Sequence, residues 1–102
     1  MHHLKSYQLA VEFYREAKGV KLAHYLKDQL RRAALSVALN LSEGTGKTSR
    51  ADQRRFFEIA MGSIRECQAL TEVEPEHFTA KQKDLLDHLA ASTYKLIRNA
   101  GP

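Results

Sequence analysis

Apolar residues recur at three- and four-residue steps in four separate stretches of the chain, the spacing of one helix face. From about residue 4 to 18 the stripe is Leu4, Tyr7, Val11 and Tyr14, and Gly19 ends it. The second stretch, about 22–43, carries Leu26, Leu30, Ala33, Val37 and Leu41, with Gly44 where a C-terminal cap belongs. The third, about 50–73, follows Ser49, which makes a capping box with Asp52. Its stripe is Phe56, Phe57, Ala60, Ile64 and Cys67, and Pro75 closes it. The fourth, about 80–99, opens at Thr79 with Gln82 three residues on, and lines up Leu85, Leu86, Leu89, Thr93, Leu96 and Ile97. No segment alternates with period two, so strands are not expected. Four amphipathic helices joined by short connections predict an all-α, up-down-up-down four-helix bundle, a single domain over residues 1–102.

Two features exceed what a plain bundle needs, since one apolar face per helix suffices for a core. Leu9 and Phe13 lie opposite the first stripe, and Leu35 and Leu39 lie opposite the second, each pair spaced i, i+4. These outer pairs predict a homo-oligomer interface. On the second helix Gln29, Ser36, Asn40 and Glu43 run down the flank of the stripe, and Ser63 flanks the third. Half-buried polar groups need partners, so they predict an interhelical polar network, with Arg31 or Arg32 as charge partner of Glu43.

Composition changes this picture little, but charge placement changes it more. With 102 residues the chain has room for one core and not for a deep cleft as well. No apolar run approaches the ~20 residues of a membrane span, and no apolar signal core stands at the N-terminus. A single cysteine rules out an internal disulfide, so a reducing cytoplasm is the expected compartment. Residues 1–55 hold 11 Lys/Arg against 5 Asp/Glu, whereas residues 56–102 hold 5 against 7. Arg31 and Arg32, with Lys47, Arg50, Arg54 and Arg55, form a candidate phosphate-neutralising surface for RNA or another nucleic acid. Few aromatics are free to stack bases, because Phe56 and Phe57 read as core.

Catalytic constellations are missing. Gly44-Thr45-Gly46-Lys47-Thr48 ends like a phosphate loop, but the first glycine of that motif falls on Leu41 and a helix precedes the turn. What survives there is a weaker expectation, an anion held at the start of the third helix near Lys47 and Arg50. The histidines His2, His3, His24, His77 and His88 form no H-x-x-x-H pair, so neither a metal nor a cofactor is expected. Cys67 sits on the core stripe as a small hydrophobe, and Glu43, Glu58 and Glu66 are not paired for acid–base work. No catalytic residue is assigned.

The run from Gln29 through Arg31, Arg32 and Ala33 to Val37, continuing Asn40-Leu41-Ser42-Glu43-Gly44, is distinctive, as is Phe56 through Ala60, Gly62 and Ser63 to Glu66. With the opening Leu4-Lys5-Ser6-Tyr7-Gln8-Leu9-Ala10, they resemble the bacterial four-helix bundle proteins of the 23S ribosomal RNA intervening sequence over nearly all of the chain. The resemblance implies a cytoplasmic bundle, often a homopentamer, with no established enzymatic activity. A related accessory bundle of diversity-generating retroelements is a basic pentamer that partners a reverse transcriptase and nucleic acid. Arg31, Arg32, Asn40, Glu43, Gly44, Gly62 and Ser63 fall on the family's signature positions. The chain departs from the family pattern in its shorter first connection, which lacks a proline, and in Ala38, where many members have proline.

The expectation is therefore an oligomeric, non-catalytic module, a pentamer by resemblance, whose basic surface contacts RNA or an RNA-processing protein. The alternative is a purely structural or protein-interaction bundle without a nucleic-acid role.

Overall fold

Local chemistry sets several of the helix ends. The structure, a computed structural model, describes residues 2–100, with side chains from Leu4 onward. Its helices are α1 (His2–Ala17), α2 (His24–Thr45), α3 (Arg50–Val73) and α4 (Ala80–Asn99), with a 3-10 turn over Pro75–His77. The Thr79 hydroxyl accepts from the Gln82 amide while the Gln82 side chain accepts from the Thr79 amide, a complete capping box. At Ser49 only half the expected box forms: its hydroxyl accepts from the Asp52 amide at 3.1 Å. The shorter Asp52 side chain makes no return bond to the Ser49 amide.

The second helix runs past the expected stop. Gly44 is inside α2, and the cap is Gly46, whose amide bonds the carbonyls of Ser42 and Glu43. Thr45 extends the last turn by donating to the Leu41 carbonyl at 2.8 Å.

Neighbouring helices run antiparallel. Ser6 on α1 hydrogen-bonds Ser92 on α4, while Glu16 meets Lys81 and Gln82, so residue numbers rise in opposite senses. Ser36 meets Ser63, and Gly44 meets Phe57, in the same opposed order across α2 and α3. α1 packs on α2 and α4, and α3 packs on the same two, giving the up-down-up-down square. The bundle measures 40 × 22 × 19 Å.

Three stripes reach the core largely as expected: Leu30, Ala33, Val37 and Leu41; Phe57, Ala60, Ile64 and Cys67; Leu85, Leu86, Leu89, Thr93 and Leu96. The first helix is rotated from its expected face. Its buried side is Ser6, Ala10, Phe13 and Ala17, while Leu4 is 55 % exposed and Tyr7 39 %. Phe13, expected on the outside, is 1 % exposed and belongs to the core, and Leu9 packs against that core as a partly buried residue. The reason is steric. A face of serine and two alanines lets α1 approach α2 and α4 closely, and the large Phe13 fills the centre.

Candidate nucleic-acid interface

The six basic residues singled out above do not form one surface. Arg31 and Arg32 are exposed in the middle of α2. Thirteen residues of helix at about 1.5 Å each separate Arg32 from the end of α2 at Thr45, roughly 20 Å along the bundle, and Lys47 lies beyond that end. Lys47, Arg50, Arg54 and Arg55 do gather, where α2 ends and α3 begins. Because alternate helices reverse, that same pole also receives the start of α1 with Lys5 and the end of α4 with Lys95 and Arg98. The acids near it are fewer, namely Glu43, Asp52 and Glu58. The opposite pole mixes Glu72, Glu74, Glu76 and Asp84 with Lys18, Lys21, Lys81 and Lys83.

Several cations of the basic pole are held in place. Lys47 pairs with Glu43 at 3.4 Å, and Arg54 with Glu58 at 3.3 Å. Glu43 thus finds Lys47, not Arg31 or Arg32. Phe56, expected in the core, is only half buried. Its ring carries the Lys47 ammonium 5.2 Å and the Arg55 guanidinium 4.6 Å from its centre, within cation–π range. These contacts steer two long side chains at little cost in charge, because a ring does not neutralise them. Arg50 stays exposed.

The polar network forms in part. Ser36 Oγ accepts from Ser63 Oγ at 2.8 Å and from Asn40 Nδ2 at 3.1 Å, and Asn40 also donates to the Ser36 carbonyl at 2.9 Å. Gln29 and Glu43 stay outside this network on exposed positions. Gln29 lines a groove of about 510 Å³ between α2 and α3, along with Tyr25, Asp28, Arg32, Ser36, Ser63 and Glu66. Its charges are of both signs.

Leu35 and Leu39 remain on the surface, 40 % and 58 % exposed. The polar groove marks the flank of α2 that faces α3, so Leu35, with the buried Ala34 and Ala38, belongs to the side toward α1 and the outside. On α1 the exposed Leu4 and Tyr7 take the outward role that Phe13 does not.

The Gly44–Thr48 stretch is a helix end, in which the Lys47 amide bonds the Gly44 carbonyl at 3.1 Å. Cys67 is fully buried, and burial first, then the charge of Glu66, push its thiol from 9.0 up to about 12. His24 and Asp28 pair at 3.5 Å on the surface. The side chains of His2 and His3 lie outside the described residues. Glu74, Glu76 and His77 bring one ligand-type atom each within 4.8 Å at the 3-10 turn, but His77 and Glu76 face solvent and already pair with each other at 3.7 Å.

One grouping was not foreseen. Lys5 and Leu9 of α1 and His88, Ala91, Ser92 and Lys95 of α4 line a groove of about 370 Å³. Its signal was present in the spacing i, i+4 on α1 and i, i+3, i+4, i+7 on α4. Only the pairing of the first helix with the last turns those two rows into one site.

A family model described as the 23S rRNA-intervening sequence protein matches residues 3–99. No curated protein matches the chain. The structural roles of the signature residues fit a shared architecture. Gly44 admits the Phe57 ring, and Ser63 and Asn40 share the hydroxyl of Ser36. With nearly its whole length covered and a four-helix bundle as its fold, the chain belongs to the 23S rRNA-intervening sequence protein family.

Proposed function

We propose that this protein is a non-catalytic, self-associating bundle that holds RNA, or an RNA-bearing protein, against its basic pole. The observation that supports this most is the convergence of cations from α1, α3, α4 and the α2–α3 connection at one end, with few acids among them. Phosphate contacts are electrostatic and indifferent to sequence, so a fixed basic surface suffices for binding without a base-reading pocket. Phe56 carries two cations on its ring, which favours backbone contact over base stacking. Assembly into a ring, for which Leu4, Tyr7, Leu35 and Leu39 supply the exposed apolar contacts, would repeat the basic pole around an axis. A homopentamer is the assembly expected by family likeness.

The test is RNA binding across a salt series, with the assembly state followed by native mass spectrometry. Arg50→Ala/Arg55→Ala is the informative change, because Arg54 is already engaged by Glu58. The expected result is binding that weakens steeply with salt, with a shallower slope and lower affinity in the double variant and no change in assembly. RNA binding that is unaffected by the double variant sinks the basic-pole reading. Assembly without any RNA binding would instead support the protein-interaction alternative, and a monomer would remove self-association.

A further inference from the structure

We propose that the groove between α1 and α4 is a binding site for a phosphate group, distinct from the Lys47–Arg55 cluster. The polar residues that line it are Lys5, Lys95, His88 and Ser92, and no acidic residue is among them. Among the described residues Lys5, His88 and Lys95 make no ion pair, whereas Lys47 and Lys81 each have a carboxylate within 3.4 Å. The α2–α3 groove differs in kind, since Asp28 and Glu66 stand beside its one arginine.

Lys5, His88 and Lys95 are solvent-exposed along the groove, and two cationic side chains with no carboxylate among the lining residues give it a positive potential that favours an anion. The donors specify which anion. Lysine ammonium groups can only donate, and the imidazole offers at least one N–H in either protonation state. Ser6 is fully buried beneath Ser92 and shares a hydrogen bond with it. With Ser6 donating, the proton of Ser92 is left for the groove. Donors arriving from two helices on several sides suit a phosphoryl group, which offers three or more acceptor oxygens, better than a flat carboxylate with two. Leu9 and Ala91 are the apolar residues of the lining, and no aromatic ring is among them to stack a base.

The phosphate has two sources, the backbone of an RNA reaching over the basic pole or a free polyphosphate, and the experiment separates them. In the first arm the full chain is titrated with inorganic pyrophosphate while amide and His88 ring resonances are recorded by NMR. Shifts are expected to concentrate at Lys5, His88, Ser92 and Lys95. Lys5→Gln/Lys95→Gln should weaken binding at least ten-fold, and Arg50→Ala/Arg55→Ala should leave it unchanged. Equal binding by the Lys5→Gln/Lys95→Gln variant, or shifts spread evenly over all cations, overturns the site. In the second arm single-stranded RNA replaces pyrophosphate. A salt slope smaller by about 0.7, the loss of one phosphate contact, identifies the backbone as the source. An unchanged slope alongside a positive first arm identifies a free phosphate. Failure of wild-type protein to bind RNA counts against the proposed function alone, since the first arm judges the groove without RNA.

Discussion

Gly44 on α2 stands so close to Phe57 on α3 that a Cβ at residue 44 would lie 2.6 Å from Cε1 of the ring and 2.8 Å from Cδ1. Phe57 is 1 % exposed, so its ring has no free space to withdraw into. Gly44→Ala gains about 1 kcal/mol of helix propensity but forces an overlap of the kind that costs about 1–3 kcal/mol. The expected outcome is a net loss of roughly 1 kcal/mol by urea denaturation, carried by the midpoint with an unchanged slope. A gain in stability would mean that α2 and α3 lie further apart than described.

The same substitution should have the opposite sign at Gly62. This residue is exposed in mid-α3, and a Cβ there meets nothing within 4 Å. Gly62→Ala should raise the stability of the isolated subunit by about 0.5–1 kcal/mol through backbone entropy. If it also shifts the assembly toward monomer in native mass spectrometry, then residue 62 is a point of close approach between copies. Unchanged assembly places it outside any interface.

Thr93 supplies a sharper stability test. Its Oγ1 is buried on α4 and lacks a hydrogen-bond partner among the described residues. An unsatisfied buried hydroxyl costs about 1–3 kcal/mol. Thr93→Val, which keeps the branched shape, should therefore raise the melting temperature. A lower melting temperature would show that the hydroxyl is satisfied in solution.

Ser36 Oγ accepts from both Asn40 and Ser63; its removal takes the acceptor from the buried Ser63 hydroxyl, while Asn40 keeps its bond to the Ser36 carbonyl. Ser36→Ala should cost about 1–2 kcal/mol. Ser36→Ala combined with Ser63→Ala should cost less than the two single changes added together, because the double variant leaves one donor fewer without an acceptor. Strict additivity in such a cycle would argue that the two hydroxyls do not interact.

Cys67 sets a pH dependence at the alkaline end. Folding raises its thiol from 9.0 to about 12 by burial and, secondarily, by Glu66. Well below pH 9 the thiol is protonated in both states and contributes no slope. Between pH 9 and about 12 the unfolded chain has lost a proton that the folded protein keeps, so stability falls by about 1.4 kcal/mol per pH unit. Denaturation curves of wild type and Cys67→Ala should diverge over that window and run parallel below it. A native thiol that reacts readily with iodoacetamide at pH 8 would contradict the burial.

The helices were readable because their stripes are long and their ends carry local chemistry, as Thr79 with Gln82 and Pro75 show. The face of α1 was misread because hydrophobic size marked Leu4, Tyr7 and Tyr14, whereas closeness of packing selected Ser6, Ala10 and Ala17 around Phe13. Gly44 was misread for a related reason. A glycine near a helix end looks like a cap, and only the approach of Phe57 from another helix explains it.

Periodicity and capping are properties of neighbours along the chain, so the sequence by itself determined four helices, their order and three of their buried faces. Charge could be counted by halves but not located in space. The antiparallel square decided that Lys5, Lys47, Arg50, Arg55 and Lys95 share one pole. It also joined Lys5 to His88 and Lys95 across the first and last helices. Such groupings depend on distances between residues far apart in the chain, and those distances are set when apolar faces meet, not by any local preference.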